Sequence, residues 1–171
     1  MSAASTISID LRIEDKRWDT LGDIESLAAR ALEAAAKRAG EAGEVAILLT
    51  NDAEMRVLNK QWRDIDKATD VLSFPSDGPE IPGEPRHLGD IAIGHETAMQ
   101  DAETMNRPFD GHFSHLLIHG FLHLIGYDHI EPEDAAVMEP LEADILAQLG
   151  WPDPYATGPY ASEHKAGEWE G

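Results

Sequence analysis

Three histidines of the segment HGFLHLIGYDH, residues 119–129, have the types and spacing to hold a metal ion. His119 and His123 are four residues apart, so on a helix their rings leave the same face about one turn apart. Gly126 can adopt positive φ and end that helix. The chain can then turn back and bring His129 to the same ion. Three neutral imidazoles with one open position match a catalytic zinc ion better than a structural one, which is usually closed by a fourth protein ligand.

The same spacing occurs in the zinc-protease pattern H-E-x-x-H-x-x-G-x-x-H, with one difference. Position 120, where that pattern carries its general-base glutamate, is a glycine. Peptide hydrolysis has a poor leaving group and loses its proton carrier here. Phosphodiester cleavage asks for less. A metal polarises a phosphoryl oxygen, and a nearby cation stabilises the charge that develops. In RNA the 2′-hydroxyl can itself be the nucleophile. His115, one turn before His119, reads as a residue behind the ligands or as packing. Asp128 reads as a carboxylate that orients a ligand histidine or as a plain turn residue.

The cation to match stands in RVLNKQWR, residues 56–63. Arg56, Lys60 and Arg63 line one face of a helix there, and Met55, Leu58 and Trp62 line another, expected to face the core. This stripe is conspicuous in a chain of 171 residues with a formal net charge of −20. Such a charge opposes loose binding to nucleic acid or to anionic membranes, while a local basic face can still hold a polyanion.

These residues must be positioned by one domain. The chain is 42% apolar, sufficient for a core, and it has no cysteine, which excludes a disulfide scaffold, a thiolate metal site and a thiol nucleophile. The N-terminus lacks a basic start followed by an apolar run, and no uninterrupted apolar stretch reaches about 18 residues. A soluble cytoplasmic protein without a membrane partner is expected. Alternating or short apolar runs predict strands at 5–13, 45–49, 71–74 and 88–94. Helical periodicity predicts helices at 24–38, about 52–63, 96–105, 110–125 and 133–149. On the last, Val137, Leu141, Ile145 and Leu149 are expected to share the buried face, and Pro140 implies a kink or a restart. Residues 76–87 read as a loop within the domain. The expected fold is α+β, a small mixed sheet of about four strands packed with about five helices, with a zinc cleft at one helix end. Residues 1–150 form the domain, and 151–171 form a loosely held tail.

Taken together, the chain resembles the YbeY family of bacterial rRNA-maturation endoribonucleases. HGFLHLIGYDH resembles that family's metal motif. LNKQWRDIDKATDVLSFP, residues 58–75, resembles its N-x-x-x-R element followed by TDVLSFP, and LGDIAI, residues 88–93, resembles a third hallmark. The resemblance implies one zinc ion on His119, His123 and His129, with Arg63 facing the metal cleft in catalysis or phosphate binding. Arg56 and Lys60 become further RNA contacts. It implies single-strand-specific cleavage of RNA, tied to 16S rRNA 3′-end maturation and ribosome quality control. Partners would be rRNA, the small ribosomal subunit and its assembly factors, with no DNA expected. Two other readings compete: a metal-dependent hydrolase of another substrate, such as a peptidase, and a non-enzymatic ribosome-assembly factor with a structural zinc.

Overall fold

The computed structural model describes residues 7–76, 81–83, 85–127 and 131–155. Within them the chain runs β1 (Ile7–Ile13), a short 3-10 helix (Lys16–Thr20), α1 (Ile24–Ala39), β2 (Gly43–Thr50) and α2 (Asp52–Arg63). It continues through β3 (Val71–Pro75), β4 (His87–Gly94), α3 (His95–Thr104), α4 (Phe109–Leu124) and α5 (Pro132–Gln148). The sheet order is β1-β2-β4-β3. β1 and β4 both run parallel to β2, and β3 is antiparallel to β4 at the edge. This is the expected α+β domain with a four-stranded mixed sheet.

The period-2 pattern sorts β2 between two faces. Val45, Ile47 and Leu49 enter the main core with α1 and α4, while Ala46 and Leu48 line the opposite face. Capping fixes where the helices begin. Asp23 accepts a hydrogen bond from the Ser26 N–H before α1, and Asn51 accepts one from the Glu54 N–H before α2. Such caps satisfy donors that the first turn leaves open. The 3-10 helix carries Trp18, which is fully buried and donates its indole N–H to the Thr50 carbonyl at 2.8 Å.

α4 is the central helix, and twelve of its residues from His112 to Leu124 are buried. It packs on β3 and β4 and against α1, α3 and α5, while α2 lies with Leu48, Leu72 and Ala92 in a separate cluster. Its contact with the sheet is close at Gly120: a Cβ there would sit 3.0 Å from Ser73 Oγ and 3.2 Å from Ile91 Cγ2. Ser73 Oγ also donates to the Gly120 carbonyl at 3.1 Å. Any longer side chain at position 120 would have to enter β3 and β4.

Two local expectations change, one on α5 and one on α2. α5 passes through Pro140 without restarting. Its buried face is Ala135, Met138, Glu142, Ile145 and Leu146, whereas Val137 is 59% exposed. A stripe of every fourth residue drifts around a helix of 3.6 residues per turn, so Val137 falls outside the face that Ile145 occupies. On α2, Met55 is buried but Trp62 is 64% exposed and meets Phe74 edge-on, ring centroids 6.2 Å apart. Trp62 and Phe74 lie together at the open sheet face, so Trp62 covers that face instead of entering the core. The C-terminal segment starts out well held. Trp151 packs on the main core, Pro154 is buried, and Tyr155 enters a polar network described below; residues 156–171 lie outside the described residues.

Candidate metal centre

α4 presents His112, His115, His119 and His123 at intervals of three, four and four residues. The rings of His119 and His123 meet edge-on with centroids 4.7 Å apart, and the Nε2 atoms of both are buried. Gly126 has φ of 109° just after the helix, as the sequence required. His129 and Asp128 lie outside the described residues.

The residue behind these histidines is Glu142 of α5, fully buried. His119 Nδ1 lies 2.6 Å from its Oε2, and His115 Nε2 lies 2.8 Å from its Oε1. The Tyr155 hydroxyl donates to the same Oε1. Arg107 completes the chain of contacts: Nη1 lies 3.4 Å from His115 Nδ1, and Nη2 donates to the Pro154 carbonyl at 2.6 Å. An arginine only donates, so His115 accepts at Nδ1 and carries its proton at Nε2. The Glu142 carboxylate therefore receives three donors.

Burial by itself would raise the proton affinity of Glu142. The neighbouring His119 and His115, which both donate to it, outweigh burial and hold the carboxyl below its usual range. Burial pushes the His115 imidazole down, which keeps it neutral. With a proton fixed on His119 Nδ1, its Nε2 lone pair is left for a metal. A carboxylate behind a ligand histidine sets the tautomer and strengthens the ligand in this way. The donor set therefore fits zinc at the two described ligand positions. His115 shares the Glu142 carboxylate with His119.

Glu142 was missed in the sequence because a carboxylate on a helix is usually solvated. Its signal was position: it falls on the 138, 142, 145 stripe that turned out to be buried. Glu139, one turn earlier on α5, is half-buried. Burial, then the neighbouring Glu142, pushes its carboxyl up to about 7 against the opposing pull of His119.

Arg63 is exposed at the last turn of α2. The turn beyond it is fixed by Asn59, which is fully buried and donates through Nδ2 to the Lys67 carbonyl at 2.9 Å. Asn59 of the N-x-x-x-R element thus holds the chain reversal that presents Arg63. Arg56 has a different partner. It pairs with Asp66 through Nε at 2.6 Å and Nη2 at 3.2 Å, so its charge is already matched at the surface. Lys60 is exposed on the same helix. The open sheet face nearby forms a cavity of about 530 Å³ lined by Trp62, Phe74, Arg12, His87 and Asp90 among others. None of Arg63, His119 and His123 lines it.

Comparison with known proteins bears on the family and the fold. The family model described as Endoribonuclease YbeY matches residues 10–150. An Endoribonuclease YbeY of Bradyrhizobium diazoefficiens is 53% identical over 151 residues, covering 83% of this chain and 81% of that protein. One from Rhizobium meliloti is 43% identical over 166 residues, covering 91% of this chain and 98% of its own. The solution structure of TM1509 from Thermotoga maritima is similar with a TM-score of 0.57 and 26% identity, covering 83% of this chain and 89% of that one. With the hallmark motifs, the fold and the match over most of its length in agreement, the chain belongs to the YbeY endoribonuclease family.

Proposed function

We infer that this protein is a zinc-dependent, single-strand-specific endoribonuclease that acts in the cytoplasm on the 3′ end of 16S rRNA and in ribosome quality control. The observation that carries the metal reading is the Glu142–His119 contact, 2.6 Å long and fully buried, on a helix whose next turn carries His123. A buried carboxylate spent on a histidine's Nδ1 is how a metal-binding Nε2 is prepared. The family's name supports the RNA substrate. No helix among the described residues is long and apolar enough to cross a membrane.

When bound at His119, His123 and His129, zinc supplies Lewis-acid polarisation of a phosphoryl oxygen or of a water. The chain's own groups do the rest. Glu142 holds the His119 proton on Nδ1. Arg63, at the helix end fixed by Asn59, stabilises negative charge that grows on the phosphoryl oxygens. Exposed Trp62 offers a face on which an unpaired base can stack, a contact that tolerates any sequence. Lys60 adds a phosphate contact, and Arg56 adds one only by leaving Asp66. Binding partners in this reading are rRNA, the small ribosomal subunit and its assembly factors.

The peptidase reading is disfavoured by Gly120. A Cβ at the position of that pattern's glutamate already crowds Ser73 and Ile91 of the sheet, so a glutamate there would have to displace them. The deciding experiment incubates metal-loaded and chelated protein with a single-stranded RNA and its all-deoxy counterpart, with Arg63→Ala alongside. Metal-dependent cleavage of the RNA alone, lost in the variant, is the expected result. Full metal content with no cleavage, together with retained binding to the small subunit, would instead favour an assembly factor with a structural zinc.

A further inference from the structure

A second group of metal-ligating side chains lies upstream of the histidine pair. Asp70 directly precedes β3, Asp101 is on α3, and His112 is in the first turn of α4. One carboxylate oxygen from each aspartate and one ring nitrogen of His112 all lie within 4.8 Å of one another. Asp70 and His112 are buried, with 7% and 0% of their surface exposed. Among the described residues, neither ring nitrogen of His112 has a hydrogen-bond partner. Buried polar atoms are nearly always paired, so an imidazole left unpaired beside two carboxyl groups calls for an explanation.

Protonation does not supply one. Burial, then the neighbouring His115 and Arg107, push the His112 imidazole down to about 3, so it stays neutral and forms no ion pair with the aspartates. Burial and the neighbouring Asp101 push Asp70 well above the usual carboxylate range. Burial and the charge of Asp52 push Asp101 up as well. The cluster thus concentrates negative potential and a free nitrogen lone pair in one place, and a proton held between the carboxyls leaves the imidazole unsatisfied.

The geometry points to a second divalent-cation site in this protein, formed by Asp70, Asp101 and His112 and suited to zinc or manganese. Two carboxylates, one neutral imidazole and one dication sum to zero charge, which a buried site requires. Mixed oxygen and nitrogen donors favour a transition ion over calcium or magnesium, which prefer all-oxygen cages. Asp101 is only half-buried and provides the route of entry. His112 precedes His119 by seven residues, roughly 10 Å along the helix, so this ion is separate from the one at His119 and His123. It ties the start of β3, α3 and α4 together and so fixes the helix that carries the downstream histidines. The site does not depend on the nuclease reading, because its residues touch none of the groups assigned to catalysis except through α4.

The test is a zinc titration of chelator-stripped protein, with metal content per chain and melting temperature as readouts. The double variant His119→Ala/His123→Ala removes the downstream centre. It should retain a tightly bound equivalent of zinc and gain thermal stability from it. Adding Asp101→Asn, which keeps size and hydrogen-bonding capacity, should abolish both effects. In the otherwise unaltered chain, Asp101→Asn should lower zinc content by one equivalent and leave the folded circular-dichroism spectrum intact. Unchanged zinc content in that variant overturns the site. So does an absence of anomalous density between Asp70, Asp101 and His112 in crystals of zinc-loaded wild type, a measurement that needs no variant to fold.

Discussion

Replacing Glu142 by Gln should weaken zinc binding without unfolding the protein, and the hydrogen-bond polarity says why. Glu142 accepts from three donors, Nε2–H of His115 and the Tyr155 hydroxyl at Oε1 and Nδ1–H of His119 at Oε2. A glutamine has one accepting oxygen and one donating NH2. Turned towards His115 and Tyr155, its oxygen keeps two contacts, but its NH2 then opposes the His119 N–H. The ring escapes by moving its proton to Nε2, and that proton occupies the lone pair the metal needs. The opposite orientation rescues His119 and leaves two buried donors facing an NH2, at about 1–3 kcal/mol for each unsatisfied group. Loss of such a carboxylate partner typically costs 10–100-fold in metal affinity, or about 1.4–2.8 kcal/mol at 1.4 kcal/mol per decade. Competition against a chromogenic chelator at neutral pH measures the change, with circular dichroism as the control for folding. A folded Glu142→Gln protein with wild-type zinc affinity would refute the claim that Glu142 sets the His119 tautomer.

Other consequences can be checked separately. Arg63→Ala should leave folding and metal content unchanged and slow RNA cleavage by about 10²–10³-fold, as for other groups that stabilise transition-state charge; an unchanged rate removes Arg63 from the mechanism. Gly120→Glu should lower the melting temperature sharply and confer no peptidase activity, because its side chain must displace Ser73 and Ile91. A stable, well-folded variant would show that the sheet contact is soft. Chelator-treated protein should lose stability as pH falls from 7 towards 5. His112 is neutral when folded, with its proton affinity pushed down to about 3, and takes up a proton on unfolding below its usual 6.5. Asp70 has the opposite sign, since its raised value adds stability in acid that fades as pH rises. Denaturant melts of wild type and His112→Gln should therefore differ in slope with pH, and equal slopes would contradict a neutral buried His112.

Much of the architecture was legible because it follows from local rules. Alternation and short apolar runs gave the four strands, 3.6-residue periodicity gave the five helices, and Gly126 marked an end where a left-handed residue is needed. The spacing of His119, His123 and His129 pointed to a metal because two residues four apart on a helix are neighbours whatever the rest of the fold does. Trp62 and Val137 were misplaced for a shared reason. Periodicity tells which residues share a face, but only the packing partner decides which face is covered.

Residue types and short-range spacing by themselves determined the metal motif, the missing glutamate at position 120, the N-x-x-x-R element and the family. Tertiary structure alone decided what lies behind and beside them. Glu142 comes from a helix that starts beyond His129 in the chain, and Tyr155 comes from a segment with no periodicity. The Asp70, Asp101 and His112 cluster joins three elements separated by up to 42 residues in sequence. Contacts of that kind depend on how helices cross and how deeply each side chain is buried. Gly120 shows the same division. The sequence reveals that its side chain is absent, and the approach of β3 and β4 to α4 gives the reason: the space a side chain would need is already filled.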